Sequence, residues 1–492
     1  MKRIQKLFLL PGLIASLGLM PAAAQTFTTL HSFTATNGSS AANSDGAHPY
    51  AGMVLSAGNL YGTAYVGGTN GGGTLFAVST NGTGFTNLFN FKTNAMGGGG
   101  GGITAGYNPS GRLILSGSTL YGTANNAYGS PPPPTGAVFK YAIGGAGIVG
   151  LVPFSPLSAF TNGTGAYPHG GLAISGSKLY GTANDGGRYS SGTVFTTTTN
   201  GTTVTNLYNF SDNDSTQNSD GANPEAALIL SGNTLYGTAY NGGPSANGTI
   251  FAINTDGTGF TNLYSFTFKN FGTNSDGAHP FAGLVLSGNT LYGTAQMGGA
   301  TQNGTVFSLS TNGTGFTTLH NFSTGPGSNS DGANPQAELV LSGNTLYGTA
   351  YLGGSFGKGT VFAVNLDGSG FTNLHSFTAL ASGTNSDGAN PSGGLLLSGN
   401  TLYGTTRNGG TGGNGTLFSL TLPLPQLAII PDGTNVIVTW PTPDTGAALQ
   451  SATNLTPPVV WDTNLPAPVL VNGQNAVTNP ISDTQQFFRL SQ

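Results

Sequence analysis

The chain has 492 residues, a net charge of −4, 83 Gly, 27 Pro and no Cys, and only 6% of its residues are charged. So little charge leaves no basic patch to neutralise phosphates, which disfavours nucleic-acid binding. The missing Cys excludes disulfide frameworks, thiol nucleophiles and Cys-ligated zinc, while 37% hydrophobic and 10% aromatic content is enough to bury a large core.

The N-terminus carries Lys2, Arg3 and Lys6, then the apolar run 7–20, then Ala22-Ala23-Ala24. That order is the pattern of a secretory signal peptide over residues 1–24, with cleavage after Ala24. The run is shorter than the ~20 apolar residues a membrane-spanning helix needs, and no later segment is longer or more apolar. The expectation is an exported protein, extracellular or at the cell surface, with no transmembrane anchor in the mature chain.

An internal repeat dominates the chain from residue 26 to residue 422. The string Leu-Tyr-Gly-Thr recurs with its tyrosine at Tyr61, Tyr121, Tyr180, Tyr236, Tyr292, Tyr347 and Tyr403, roughly every 56 residues, and such periods mark solenoids or propellers. Each unit holds four short runs of β-type residues; in the fifth unit they are 284–286, 290–295, 304–310 and 316–322. Ser287-Gly288-Asn289 and Asn312-Gly313 are tight-turn signals, the second implying positive φ at both central residues. Four antiparallel strands per unit fit a β-propeller. The seventh unit stops after its third strand, 416–422, and an orphan fourth strand opens the mature chain at 26–33, TFTTLHSF. An N-terminal strand that completes the last blade would remove the exposed sheet edges. The expected fold is therefore all-β: a seven-bladed β-propeller over 26–422, a linker at 423–425, and a further domain over 426–492.

Comparison of the units picks out candidate residues. The third position on one face of the fourth strand is His31, Phe89, Val152, Tyr208, Tyr264, His320 or His375; because Phe, Tyr and Val share the slot, these histidines read as packing between blades. The loop from one unit to the next carries NSDGAxP. In a propeller it shares a face with the Gly-rich loop between strands two and three, which makes that face the ligand-facing one. It presents Asp45, Asp220, Asp276, Asp331 and Asp387, replaced by Ala105 and Thr164 in two units, together with His48, Asn108, Tyr167, Asn223, His279, Asn334 and Asn390 before each proline. The two irregular units also hold Gly97–Gly102 and Pro131–Pro134. Asn-x-Asp-Gly has part of a calcium loop, but the first Asp and the closing Glu of that loop are missing. Turn formation by Asp-Gly is the stronger reading, so no cofactor is expected and calcium is disfavoured. The binding candidates are Asp45, His48, Asp220, Asn223, Asp276, His279, Asp331, Asn334, Asp387 and Asn390, with no catalytic or metal residue among them.

An active site would be a single-copy departure from the repeat. The candidates are Asp185, Arg188, Asp212, Asp214, Glu225, Glu338, Lys358 and Arg407, and Glu225 and Glu338 are the only glutamates in the chain. No nucleophile elbow, zinc-type His pair or phosphate loop is present, and surface charge is the default account of these residues.

The last segment holds both tryptophans, Trp440 and Trp461, with strand-like runs at 427–430, 435–440, 447–451 and 486–490. It reads as a small β-sandwich of the immunoglobulin or fibronectin type III kind with the tryptophans in its core.

The repeated unit SDGAxPxAxLVLSGNTLYGTAxxGG…GTVFAVNTDGTGFTNLHSF resembles the GloVer tandem repeat of exported bacterial proteins over residues 26–422. The resemblance implies a secreted or cell-surface protein with variable C-terminal anchoring and no assigned enzymatic activity. Some such proteins end in a sorting helix with a basic tail, whereas this chain ends in QQFFRLSQ; its tail resembles small β-sandwich modules with a TWP…LQS…W…FFRL pattern. The functional expectation is a non-enzymatic binding or scaffold protein, its partner an extracellular polysaccharide, neutral glycans in particular, or a surface protein. The alternatives are a polysaccharide-active enzyme on a propeller scaffold and a purely structural surface protein.

Overall fold

The computed structural model describes residues 25–37, 42–93, 105–127, 135–145, 147–155, 163–201, 203–212, 218–270, 272–323, 329–423, 427–441, 448–456, 459–471, 474–480 and 486–491. The segment 1–24 expected to be a signal peptide, the hexaglycine and tetraproline runs, Asp214 and most of the expected linker lie outside them. The described residues form β-strands and no α-helix, and divide into two compact units, Phe27–Ser419 and one made of Leu420–Gln492 together with Gln25 and Thr26.

In the first unit each repeat folds into its own antiparallel sheet, with strands hydrogen-bonded in chain order. The fifth repeat shows the pattern: Val285–Ser287, Thr290–Ala295, Thr305–Ser310 and Thr317–Asn321, close to the expected runs. Gly288 at φ 57° is the first central residue of a two-residue loop, as a type II′ turn requires. The Asn312-Gly313 hairpin differs from expectation. Only Gly313 takes positive φ (82°), because the Asn312 carboxamide accepts the Thr314 N–H at 3.0 Å and so caps the turn in a right-handed conformation. The second repeat adds a short strand, Tyr107–Pro109, beside Thr119–Asn126.

The recurring Leu-Tyr-Gly-Thr has a packing reason for each member. Leu291 is fully buried and Tyr292 nearly so. A Cβ on Gly293 would lie 2.7 Å from the Phe307 ring and 2.8 Å from Leu284, so glycine is the seat on which the third strand's phenylalanine packs. In four repeats the threonine reaches the next one, Thr123, Thr182, Thr238 and Thr405 donating to Gly170, Ala226, Ala282 and Ala51 O, whereas the buried hydroxyls of Thr63, Thr294 and Thr349 make no hydrogen bond.

The strand Thr26–Ser32 does not pair with the first repeat. It forms the edge of the last repeat's sheet, beside Thr416–Thr421, Thr401–Thr406 and Leu396–Ser398. The seventh repeat in turn donates Thr405 Oγ1 to Ala51 O at 3.3 Å in the first.

The second unit has a four-stranded sheet, in the order Ala428–Asp432, Asn435–Pro441, Gln474–Pro480, Val469–Val471, and a two-stranded pair of Ala448–Ala452 with Phe487–Ser491. Trp440 is buried with Val438, Leu449 and Val477. Trp461 departs from the expectation of a core residue: it is only half-buried, beneath the Arg489 guanidinium, which sits 4.1 Å from its ring centroid.

Gly293→Ala is expected to cost about 1–3 kcal/mol through overpacking, read as a lower denaturation midpoint with an unchanged circular dichroism spectrum.

Candidate functional site

The inter-repeat loop is built around three side chains. Asn274 forms the turn: its Oδ1 accepts Gly277 N at 3.0 Å and Gly299 N at 2.7 Å, tying the crossover to the loop between strands two and three. A backbone bridge between Ala278 and Met297 seals the two loops together, so they share a face as expected. Asp276 does not cap this turn. Its carboxylate reaches back to the preceding strand and accepts Thr267 N at 2.8 Å, Thr267 Oγ1 at 2.5 Å and Tyr264 Oη at 2.7 Å. The same knot recurs at Asp45 with Thr34 and His31, Asp220 with Ser211 and Tyr208, Asp331 with Ser323 and His320, and Asp387 with Thr378 and His375.

The ring partner also packs between sheets. His31 stacks on Phe85 at 3.7 Å, Tyr208 on Phe260 at 3.7 Å, Tyr264 on Phe316 at 4.0 Å, His320 on Phe371 at 3.6 Å and His375 on Phe27 at 3.9 Å. Burial opposes ionisation of Asp45, Asp331 and Asp387, yet the hydrogen bonds from their His and Thr or Ser partners prevail and hold them below the usual 3.8. All five carboxylates are buried, with exposures of 2–8%, and their oxygens are spent on the fold. The signal was present in the sequence: where Asp is replaced by Ala105 or Thr164, the preceding strand carries Phe89 or Val152, which cannot hydrogen-bond.

The pre-proline residues are spent in the same way. His48, Asn108, Tyr167, Asn223, His279, Asn334 and Asn390 all sit at φ 54–59°, a costly conformation for a non-glycine residue. Contacts across the sheets hold them there: Asn334 N donates to Asn303 O at 2.8 Å, and its side-chain amide donates to Gln296 O at 3.0 Å. His279, Asn223 and Asn390 reach Tyr240, Asn184 and Tyr351 carbonyls likewise, and His48 reaches Arg407 O at 2.8 Å. Each of the ten candidates thus makes at least one side-chain hydrogen bond within the fold.

The strained turn aims the residue after each proline inward. Tyr50, Ser110, His169, Glu225, Phe281, Gln336 and Ser392 converge on one shallow depression of about 80 Å³, open to solvent. No two neighbours are alike, which is what convergence demands, because equal large side chains from every repeat could not occupy one point. Tyr50, His169 and Phe281, from alternate repeats, meet edge to face with centroids 5.2, 5.8 and 6.5 Å apart. Beside them Arg112 and Glu338 form an ion pair at 3.3 Å. Glu225 and Glu338 thus line the same depression, a convergence the sequence could not reveal.

Glu225 is the unusual acid. Its Oε1 accepts Asn184 Nδ2 at 2.9 Å, and its Oε2 lies 3.8 Å from His169 Nδ1. Burial and then the nearby Asp185 push its pKa up to about 7, while burial pulls His169 down to about 4. Asp185, raised by burial, accepts Asn223 Nδ2 at 3.0 Å. Arg188 and Arg407 lie over the rings of Tyr189 and Tyr50. Among the described residues no three His, Asp or Glu side chains gather as a metal site, and no helix is long and apolar enough to cross a membrane.

The sequence matches the Gloeobacter/Verrucomicrobia repeat over residues 19–218, 153–329 and 267–452. The chain belongs to that repeat family. No curated protein matches it. Among solved structures it is similar to a GH74 enzyme of Niastella koreensis (14% identity, TM-score 0.47, 86% of this chain and 60% of that one). It is also similar to PorZ, a surface component of the type-IX secretion system of Porphyromonas gingivalis (15%, 0.45, 89% and 58%), and to an oligogalacturonate lyase (11%, 0.44, 82% and 98%). The chain spans about 60% of the length of the first two.

Asp331→Asn is expected to cost about 2 kcal/mol, since it breaks hydrogen bonds to a buried acceptor. The parent's margin over this variant is full above pH 4 and lost as pH falls through the depressed carboxylate pKa; paired thermal melts between pH 3 and 7 read it. Glu225→Gln carries the opposite sign. A raised folded pKa means ionisation destabilises the fold, so the variant should match the parent below about pH 4.5 and melt higher above pH 7.

Proposed function

We propose that the chain is an exported, non-enzymatic binding protein. Its scaffold is a closed seven-bladed β-propeller over 26–422, followed by an immunoglobulin- or fibronectin-like β-sandwich over 426–492, and it holds a neutral polysaccharide on its loop face. Closure is supported by the contacts between first and last repeats: the N-terminal edge strand, the His31–Phe85 stack, and the bonds of His48 to Arg407 O and of Thr405 to Ala51 O. The last three of these repeat, between chain ends, interactions that neighbouring repeats make elsewhere.

One observation carries the binding role. Tyr189, Phe268 and Phe356 are 40%, 73% and 50% exposed, on loops between strands two and three or between repeats. Around them the loops offer Asn, Ser, Thr and Gly, with one basic residue close to each ring in sequence: Arg188, Lys269 and Lys358. Sugars present C–H faces to aromatic rings and hydroxyls to amides, so exposed rings among hydrogen-bonding side chains suit a glycan. Export rests on the basic-then-apolar N-terminus. Glu225, titrating near neutrality, favours a second reading as the general acid of a polysaccharide-cleaving enzyme.

Pull-down of the chain on insoluble neutral polysaccharides tests both. Retention should fall at least fivefold in a Tyr189→Ala/Phe268→Ala/Phe356→Ala variant that melts like the parent. Equal retention removes the loop-face role, and release of soluble reducing ends favours the enzyme.

A further inference from the structure

Two glutamates line the axial depression, and only one has a cation. Glu338 is paired with Arg112. Glu225 is held by a neutral amide, Asn184, and faces His169, an imidazole that burial keeps uncharged. Asp185 adds a second negative charge nearby, and its partner, the Asn223 amide, is neutral too. Of the remaining charged groups, neither Arg407 nor Lys269 pairs with Glu225. Arg407 lies 5.7 Å from the Tyr50 ring centroid and makes no ion pair among the described residues, and Lys269 contacts His279 Nε2 at 3.1 Å. The phenols of Tyr50 and Tyr240 are held neutral by burial and then by Glu225 itself.

We propose that this depression binds a protonated amine, with the Glu225 carboxylate as its counter-ion and the Tyr50 and Phe281 rings beside it. An ammonium group supplies what the site lacks: a positive charge, and N–H donors for Oε2, which has no close partner. The adjoining rings favour the same ligand, since aromatic faces attract cations. A neutral sugar ring would leave the charge deficit of Glu225 and Asp185 in place, whereas a cation relieves it and draws Glu225 into its ionised form. The amine could belong to an amino sugar of a polysaccharide or to a lysine of a protein, and both present the same primary ammonium. This site is separate from the loop-face rings, so it stands or falls independently of them.

Calorimetric titration of the full chain at pH 7 tests it with glucosamine oligomers, their N-acetylated counterparts, a lysine-bearing peptide and the same peptide acetylated on its amines. At least one free-amine probe should bind, and its acetylated form should bind at least tenfold more weakly; which free amine binds identifies the source. Glu225→Gln, checked to melt no lower than the parent, should weaken binding at least tenfold, while the loop-ring variant binds unchanged. For the lysine peptide, affinity should fall at least fivefold from pH 7.5 to 5.5 as Glu225 takes up its proton. The proposal is overturned if no free amine binds, if acetylated probes bind equally, or if Glu225→Gln binds like the parent.

Discussion

A buried aspartate that needs donors from its own loop and from the preceding strand at once is the interaction on which the repeat architecture turns. Asp276 illustrates it: Thr267 fixes where the outgoing strand ends, and Tyr264 fixes the face that strand presents. Because Tyr264 is simultaneously stacked on Phe316 of the next sheet, one carboxylate sets the spacing between neighbours. A lost donor therefore loosens a loop and an inter-sheet contact together. The units at Ala105 and Thr164 manage without the carboxylate by placing the apolar side chains Phe89 and Val152 against their neighbours instead.

Much of the fold was legible in residue order because each feature has a local cause. The Leu-Tyr-Gly-Thr period gave the number of sheets, the Ser-Gly-Asn and Asn-Gly turns gave the strand boundaries, and the unmatched TFTTLHSF gave the edge strand of the last sheet. The site was less legible. Asp and pre-proline residues stand out because they recur, and recurrence here reports structural duty: the aspartates bind strands and the pre-proline residues bind neighbouring sheets. The paired change of His or Tyr with Asp was visible in the sequence but calls for reading two columns of the repeat together. Convergence of Tyr50, His169, Glu225 and Phe281 was not visible, because it depends on how sheets far apart in sequence come together.

The two regimes follow from distance to the common centre. Away from it, repeats have room to be alike, and the same knot is used again and again. At the depression the repeats compete for one volume, so they must differ, and that is where single-copy chemistry collects: an ion pair, a ring cluster and a carboxylate without a cation. Variation among the residues after proline is thus a packing requirement first, and a functional opportunity because of it.

The strand Thr26–Ser32 has a consequence for the order of folding. Its partner, Thr416–Thr421, is the last strand of the repeat region to be synthesised, so the earliest-made strand waits for the latest-made one. Local hairpins form with little entropic cost, whereas joining segments this far apart closes the longest loop in the chain. The six intervening sheets can assemble as synthesis proceeds, but the seventh cannot be completed until nearly the whole repeat region exists. Completion of that sheet is then a checkpoint on chain integrity: a truncated product keeps an unsatisfied edge strand at its N-terminus, where proteases and aggregation act first.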